Sequence, residues 1–357
     1  MIKSVLTNEI LDRLLSIERC RERFGGVRLP AVLTNKLRKS SRKKSSYAST
    51  KIEGNPLSES QASEAIDSSR RHYLKPEQEV RNYFAALKYL ELQLKRKTPF
   101  SKELMLSVQK MVVDGESVEK IGLRGPMPPG VLFAVYDDKT GAVDYIPPEA
   151  GDIGPLLDEL VDYVSSSDDH PVIKAAIVHY QLVTIHPFED GNGRTARLLS
   201  DYVLDLCGYG FNQIGSLEEY FAYDIDEYYR SLQMGLPAVY YDGRANPPNP
   251  EIWISYFGRM MELYAKKALE LVGEPEATQA RNGLSHLNQK EREFLAYLQK
   301  RGMQTFAPIE VSKRLKVTNR TVINWCAALV KNGFLAPSSS GRRIRYYTLT
   351  ELARPSR

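Results

Sequence analysis

The stretch VIKAAIVHYQLVTIHPFEDGNGRTAR, residues 172–197, decides the fold of this chain. Its first half is apolar around most of a helical circumference, which predicts a helix buried at the centre of a bundle. Pro187 and the Gly-Asn-Gly triplet at 191–193 prevent a continuous helix, so a tight loop should follow His186 and a second helix should begin near Asn192. We therefore expect a mainly α-helical body built around this helix–loop–helix.

The loop also concentrates residues that suit the chemistry of nucleotide phosphates. Free N–H groups at a helix start form an anion site. Arg194 and Arg197 are three residues apart, so they share a helix face and can address one anion. Asp190 offers a carboxylate of the kind that holds Mg²⁺ together with substrate phosphates, and His186 is a candidate general base. The candidate residues of the loop are His186, Asp190, Gly191, Asn192, Gly193, Arg194 and Arg197.

HPFEDGNGRTAR, residues 186–197, resembles the signature HPFx[D/E]GNGRxxR of the Fic (filamentation induced by cAMP) family and matches every fixed position. The resemblance implies a helical bundle that transfers AMP from ATP to a Ser, Thr or Tyr hydroxyl of a target protein. His186 would then deprotonate that hydroxyl, and Asp190 would hold Mg²⁺ on the α- and β-phosphates. The Gly191–Gly193 backbone and the Asn192 side chain would stabilise the α-phosphate, while Arg194 and Arg197 would clamp the β- and γ-phosphates.

Other segments between roughly residues 45 and 270 extend the resemblance. Residues 122–149 predict a small β-hairpin, which resembles the family's flap that aligns the target backbone, with Tyr145 and Ile146 at its end. Gly122-Leu123-Arg124 resembles the lead into that flap, although Leu123 replaces the usual aromatic residue. Tyr228 and Tyr229 resemble a tyrosine pair beside the adenine, but two core tyrosines would give the same pattern.

The segment STKIEGN, residues 49–55, resembles the family's inhibitory motif [S/T]xxxE[G/N]. It places the chain with the subclass that carries an N-terminal inhibitory helix. The resemblance implies that Glu53, supported by Ser49, forms an ion pair with Arg197 and takes the place of the γ-phosphate. Gly54-Asn55-Pro56 is also a helix stop signal, and both interpretations are compatible.

Charge is distributed unevenly along the 357 residues, whose formal net charge is +5. Residues 281–357 contain fifteen Lys or Arg against four Asp or Glu, so they carry +11 and residues 1–280 carry −6. A basic tail on a mildly acidic body favours separate roles, the tail suiting a polyanion or an acidic partner, although a solvated basic face is the plain alternative. The basic run from Lys36 to Lys44 predicts a mobile or solvated segment.

Cysteine usage and hydropathy indicate the compartment. Three widely separated cysteines without a CxxC favour a reducing cytoplasm over a disulfide framework or a zinc site. No apolar run approaches the length of a membrane span, and the charged N-terminus lacks a signal-peptide core. We therefore expect a cytoplasmic protein with no membrane partner.

The basic tail resembles a winged helix-turn-helix, with three helices followed by a two-stranded wing. DNA binding and protein docking both remain open for it, and steep loss of affinity with salt would favour DNA. The candidate DNA contacts are Asn319, Arg320, Thr321, Asn324, Arg342 and Arg343.

These segments define a mainly α chain, in which a Fic helical bundle with a small β-hairpin flap is followed by a winged helix-turn-helix. The predicted domains are an N-terminal helical region at 1–110 with the inhibitory helix near 45–55, a Fic core at 111–272, a linker at 273–286 and the winged helix at 287–357. The favoured function is a self-inhibited protein adenylyltransferase with ATP as co-substrate and Mg²⁺ as cofactor. Removal of AMP from a modified protein, or a nucleotide-sensing DNA-binding regulator, are the alternatives. By analogy with the family, the chain is also a candidate homodimer.

Overall fold

The computed structural model describes residues 2–27, 29–136, 141–237, 247–285, 287–339, 345–350 and 353. The chain divides into two compact units, Met1–Leu269 and Glu270–Arg357. Throughout the described residues, every helix is too short or too polar to cross a lipid bilayer.

The first unit is a helical bundle, as the sequence predicts. Its helices are α1 (Asn8–Gly25), α2 (Ala31–Ile52), α3 (Glu59–Asp67), α4 (Lys75–Arg96), α5 (Lys102–Val112), α6 (Ala150–Ser166), α7 (Pro171–Ile185), α8 (Asn192–Leu206), α9 (Glu218–Phe221), α10 (Ile225–Gln233) and the first part of α11 (Pro250–Ser285).

Helix α7 lies at the centre of the bundle and packs along α8. Side chains from Val172 to Ile185 are buried around most of its circumference, because few of them are polar enough to favour water. Among the polar ones, His179 has a buried partner, since its Nε2 lies 2.8 Å from the Tyr228 hydroxyl. The indole of Trp253, on α11, donates to the Ala176 carbonyl of α7 at 2.7 Å. The buried central helix expected from the sequence is confirmed.

A short antiparallel hairpin interrupts the helices. Strand β1 (Val135–Tyr136) pairs with β2 (Val143–Tyr145), with Val135 opposite Tyr145. Most of the turn expected between them, 137–140, lies outside the described residues. The hairpin predicted within 122–149 is present.

The basic run at 36–44 is part of α2 and is not an irregular segment, although Lys36 and Lys39 are exposed to solvent as expected. Acidic partners from elsewhere in the chain hold it: Arg42 pairs with Glu91 at 3.0 Å and Lys44 with Glu219 at 3.0 Å. Because these partners lie on α4 and α9, the charge run alone does not reveal them.

The described part of the second unit contains the end of α11, three further helices and a small sheet around its own apolar core. Its elements are α12 (Gln289–Lys300), β3 (Thr305–Phe306), α13 (Pro308–Leu315), α14 (Asn319–Lys331), β4 (Leu335–Ser339) and β5 (Arg345–Leu349). The sheet is antiparallel in the order β3-β5-β4, and β4 and β5 are the two strands expected of a wing. Thr318 caps α14, accepting from the Thr321 N–H at 3.2 Å. The element order suits a winged helix-turn-helix, a designation that stays a prediction.

The segment predicted as a linker, 273–286, is helical through Ser285, because α11 continues into it. Its polar sequence lacks an amphipathic period, so the helix could not be recognised from apolar spacing. The two units divide at 269/270, a few residues before the predicted linker. The domain limits drawn from the sequence stay predictions.

Candidate active site

The loop between α7 and α8 is shaped by two residues in the left-handed region. His186 ends α7 with φ +49°, and Gly191 precedes α8 with φ +80°. Gly191 also packs tightly, because a Cβ there would lie 3.0 Å from Val112 Cγ1 and 3.1 Å from Val113 Cγ1. This position therefore requires glycine for two reasons, the left-handed backbone and the close approach to α5.

Asn192 holds the loop by pairing with one peptide unit. Its Oδ1 accepts from the Phe188 N–H at 3.0 Å, and its Nδ2 donates to the Phe188 carbonyl at 2.8 Å. Phe188 is buried and anchors the loop. This arrangement uses one of the two Nδ2 N–H donors, and the expectation that the Asn192 side chain stabilises an α-phosphate stays a prediction. Its backbone N–H, at the first position of α8, remains a candidate anion donor.

Arg124 joins the loop to the segment that leads into the hairpin. Its N–H donates to the Pro187 carbonyl at 2.9 Å, and its Nε donates to the His186 carbonyl at 2.8 Å. The guanidinium also donates to the Pro148 carbonyl beyond β2. Sequence reasoning treated Arg124 only as part of the flap lead and missed this contact with the loop. An arginine in an otherwise apolar lead is the signal that could have found it.

The His186 imidazole is half-buried and neutral at pH 7. Burial lowers its pKa to about 4, and the Arg124 charge acts in the same direction. Nδ1 lies 3.3 Å from the Val183 carbonyl, which can only accept, so Nδ1 carries the proton. Nε2 is then left with its lone pair, and within the described part of the chain it has no hydrogen-bond partner. This is the tautomer that a general base requires.

Asp190 lies between two cations. Its Oδ1 is 2.9 Å from Arg194 Nη2, and its Oδ2 is 3.0 Å from Lys120 Nζ. Burial would raise the pKa of Asp190, but the Arg194 and Lys120 charges outweigh it and the pKa falls below the ordinary value. The group is therefore a carboxylate at neutral pH.

A Mg²⁺ ion of the kind shared with phosphates needs only one or two protein carboxylates. Asp190 fits that requirement, since its oxygens are hard donors and its side chain is 26% exposed. Among the described residues, no three His, Cys, Asp or Glu side chains converge as a metal site of their own. Asp190 is thus the residue that could hold such an ion.

The two arginines of α8 have different partners. The Arg194 side chain is buried and, among the described residues, its Nε has no hydrogen-bond partner. Arg197 is fully buried and directed toward α2, where its Nε donates to Ser49 Oγ at 2.8 Å and its Nη2 to the Ser49 carbonyl at 2.9 Å. An unpartnered guanidinium N–H beside a helix start is suited to an anion.

Glu53 ends α2 directly over the start of α8. Its Oε1 lies 2.7 Å from Arg197 Nη2. A Cβ placed on Gly193 would collide with the same carboxylate, so Glu53 covers the first turn of α8. Burial would lower the pKa of Arg197, but the Glu53 charge reverses this and raises it. The structure therefore brings together the three residues that the inhibitory motif singled out, Ser49, Glu53 and Arg197.

The two tyrosines of α10 have different surroundings. Tyr228 is 1% exposed, and its hydroxyl lies between His179 and Arg197, 3.4 Å from Arg197 Nη1. Tyr229 is 40% exposed, and its hydroxyl donates to the Ile52 carbonyl at 3.4 Å. Tyr228 is thus a core tyrosine that supports Arg197, and only Tyr229 is accessible to a ligand.

Tyr145 at the end of β2 faces the body of the protein. It is buried, and its hydroxyl donates to the Thr184 carbonyl of α7. Ile146 is half-buried. Tyr145 therefore anchors the hairpin on the helix that ends at His186, and its side chain is not free for a target.

Three of the candidate DNA contacts in the second unit are accessible, and their role stays a prediction. Asn319, Arg320 and Asn324 are exposed on the first turns of α14. Thr321 is half-buried, and its hydroxyl lies 2.8 Å from that of Thr318. Arg342 and Arg343 lie outside the described residues.

A neutral imidazole, a carboxylate and two arginines lie around one helix start, an arrangement that suits a phosphate group. Comparison with known proteins identifies it: residues 99–204 match the model described as the Fic/DOC family. The chain therefore contains a Fic domain.

Curated relatives carry the name protein adenylyltransferase Fic. The relative from Culex quinquefasciatus is 32% identical over 171 residues, which cover 46% of this chain and 32% of the relative. The relative from Drosophila grimshawi is 27% identical over 203 residues, which cover 55% of this chain and 40% of the relative. This chain thus spans less than half the length of the curated relatives that it matches.

Solved structures agree on the fold. A Fic family protein from Desulfovibrio desulfuricans G20 superposes with a TM-score of 0.65 at 20% identity and covers 100% of both chains. A Fic domain-containing signalling protein from Bacteroides thetaiotaomicron gives 0.61 at 20% identity, over 72% of this chain and 97% of that one. Fic-1 (residues 134–508) from C. elegans gives a TM-score of 0.58 at 23% identity and covers 75% of this chain and 73% of that one.

Proposed function

We propose that the protein is an adenylyltransferase that moves AMP from ATP to a Ser, Thr or Tyr hydroxyl of a target protein, with release of pyrophosphate. The observation that carries the proposal is the start of α8, where the neutral imidazole of His186, the carboxylate of Asp190 and the guanidinium groups of Arg194 and Arg197 surround free backbone N–H groups. The names of the curated relatives support the same reaction.

In the proposed mechanism, His186 Nε2 accepts the proton of the target hydroxyl. The hydroxyl oxygen forms a bond to the α-phosphorus of ATP while the bond from that phosphorus to the bridging oxygen of pyrophosphate breaks. The backbone N–H groups of the first turn of α8 stabilise the charge on the α-phosphate oxygens. Because attack and departure must be in line, positioning provides much of the rate.

Asp190 would hold a Mg²⁺ ion shared with the phosphates, and the ion would neutralise charge on the leaving pyrophosphate. Arg194 would act on the same phosphates, because its Nε has no partner among the described residues. Arg197 would do so only after Glu53 leaves it, since its Nη2 is engaged by that carboxylate at 2.7 Å.

We further propose that Glu53 inhibits the enzyme in the nucleotide-free chain. Its carboxylate covers Gly193 and occupies Arg197, which is where a γ-phosphate of like charge would bind. ATP can then bind only with its phosphates displaced. Misplacing the α-phosphate by this means would cost several kcal/mol, or several decades in rate.

Intact-mass analysis of Glu53→Gly incubated with Mg-ATP tests whether ATP is the donor and whether AMP is the group transferred. We expect the variant to gain the mass of AMP on itself or on an added target, and we expect Glu53→Gly/His186→Ala to gain nothing. A gain of a single phosphoryl group would indicate a kinase. No gain by Glu53→Gly with any target from a cell lysate would contradict the proposal.

Removal of AMP is the second candidate reaction for this site. Glu53 lies close enough to Arg197 and the start of α8 to orient a water molecule there, which is the observation that favours it. A purified AMP-modified target distinguishes the two reactions: the wild type would release AMP and Glu53→Gly would not.

We propose a nucleic-acid role for the second unit as a separate function. Asn319, Arg320 and Asn324 are exposed at the start of α14, and residues 281–357 carry a charge of +11. Retardation of a DNA duplex at low salt, lost steeply as salt rises, would support it. If the protein retards no duplex, protein docking is the role that remains for the second unit.

The free cysteines suit the reducing cytoplasm that we propose as the location of the protein.

A further inference from the structure

Lys120 is a residue that the family signature does not contain, yet it reaches the proposed metal ligand. Its ammonium lies 3.0 Å from Asp190 Oδ2 and also 3.0 Å from Glu116 Oε2. Glu116 contributes most to raising the pKa of Lys120 and Asp190 adds to the rise, so the group is a cation at any pH where the protein works. A positive charge therefore already lies where a dication would bind.

The pairing is built into the fold by Gln109 on α5. This side chain is completely buried, and its Nε2 donates to the Lys120 carbonyl at 2.7 Å and to the Asp190 carbonyl at 3.2 Å. Its Oε1 accepts from the Gly122 N–H at 3.0 Å. One amide thus fixes the backbones of both partners, so the ammonium and the carboxylate are held within reach of each other.

Lys120 is also the more easily displaced of the two cations on Asp190. Its side chain is 33% exposed, whereas that of Arg194 is 8% exposed. When Asp190 accepts another cation, Lys120 can remain paired with Glu116 at the protein surface. Arg194 would instead have to leave its carboxylate within the protein interior, which is costly for a buried charge.

We propose that Lys120 is a positioning residue that serves as the resident counter-ion of Asp190, and that a divalent metal must displace it to bind. The inference rests on the proposed role of Asp190 as the metal ligand. Lys120 then holds the carboxylate in place before nucleotide arrives and sets the concentration of metal that the site requires. The metal affinity of the site is accordingly lower than an unpaired Asp190 would give.

Titration with Mn²⁺ in the absence of nucleotide, followed by electron paramagnetic resonance, tests this with the full chain. We expect Lys120→Gln to bind Mn²⁺ roughly fivefold more tightly than the wild type, because a partly exposed ion pair no longer competes. Lys75→Gln is the matched control, since Lys75 pairs with the other oxygen of Glu116 at 3.0 Å and makes no ion pair with Asp190. It should bind Mn²⁺ as the wild type does.

The Asp190→Asn background shows whether the effect of Lys120→Gln on Mn²⁺ affinity depends on the Asp190 carboxylate. There, Lys120→Gln should no longer change Mn²⁺ affinity. Equal affinity of Lys120→Gln and Lys75→Gln, including the absence of measurable binding by both, would overturn the inference, and so would weaker binding by Lys120→Gln. The titration involves no ATP and no target, so failure of AMP transfer by Glu53→Gly would refute the proposed function while leaving this result readable.

Discussion

At the scale of single residues, the site depends on protonation states that burial and neighbouring charges set. His186 remains neutral because burial lowers its pKa to about 4, and Asp190 remains ionised because two cations outweigh the effect of burial. The imidazole is thereby ready to accept a proton, and the carboxylate is ready to bind a cation. Both states follow from the contacts that the loop makes with Arg124, Lys120 and Arg194.

The pH dependence of Glu53→Gly follows from the state of His186. A histidine with an ordinary pKa of about 6.5 would lose roughly tenfold of its base form at pH 5.5. Since burial lowers the pKa of His186 to about 4, and removal of Glu53 takes away a charge that raises it, kcat should change less than about twofold between pH 7.5 and 5.5. Initial rates with radiolabelled ATP would measure this. An acidic limb centred near 6.5 would show that the imidazole is solvated.

Ser49 supports the inhibitory ion pair, because its hydroxyl and carbonyl both accept from Arg197. Ser49→Ala removes one acceptor from a buried guanidinium, worth about 1 kcal/mol, so AMP transfer should rise about fivefold while remaining below that of Glu53→Gly. Ser46→Ala is the matched control, since Ser46 is equally buried on α2 but donates to the Arg42 carbonyl of its own helix. A rise of equal size in both variants would indicate general loosening of α2.

At the scale of elements, the beginning of α8 is more constrained than its end. Gly191 and Gly208 flank the helix with nearly equal φ angles, +80° and +79°. A Cβ on Gly191 would press against Val112 and Val113, whereas a Cβ on Gly208 has nothing within 4 Å. The backbone requirement is thus shared, and only the first glycine adds close packing against α5.

Substituting alanine for Gly191 and for Gly208 separates the cost of the left-handed backbone from the cost of close packing against α5. Gly208→Ala should lower the free energy of unfolding by about 1 kcal/mol, the cost of a left-handed alanine. Gly191→Ala should lower it by a further 1–3 kcal/mol or so, because the methyl group overpacks the contact with α5. Urea denaturation of both variants provides the comparison. Equal losses would mean that α5 moves aside without strain.

The same elements show what the sequence could reveal. The boundaries of α7 and α8 follow from the apolar run, Pro187 and the glycines, which act locally. The pairing of Arg42 with Glu91, and of Lys44 with Glu219, joins residues far apart in sequence, so the basic run by itself does not predict these ion pairs. Strand β3 has only two residues, too few for an alternating pattern. For the same reason of distance, the contacts of Gln109 with the backbones of Lys120 and Asp190 could not be predicted.

At the scale of the whole molecule, the cation-rich helix α2 covers a group of buried and half-buried acids in the first unit. A small cavity of about 50 Å³ lies beneath it, lined by Ser41, Asp201 and Asp205 among others. Burial raises the pKa of Asp205 to about 7, while Gln213 and Arg38 act in the opposite direction and Glu91 adds to the rise. Gln213 Nε2 donates to Asp205 Oδ2 at 2.9 Å. The folded protein therefore favours the protonated acid in mildly acidic solution.

This preference makes the stability of the first unit depend on pH. Because the folded pKa of about 7 exceeds the ordinary value of 3.8, the contribution of Asp205 is complete at low pH and is lost as pH rises through 7. Between pH 6 and 8 the wild type should lose about 1 kcal/mol that Asp205→Asn does not lose, since asparagine stays neutral and can still accept from Gln213. Urea titrations followed by Trp253 fluorescence, in a Trp325→Phe background that silences the second unit, would report this unit alone. Parallel pH profiles for the wild type and Asp205→Asn would show that the carboxyl group is ionised in the fold.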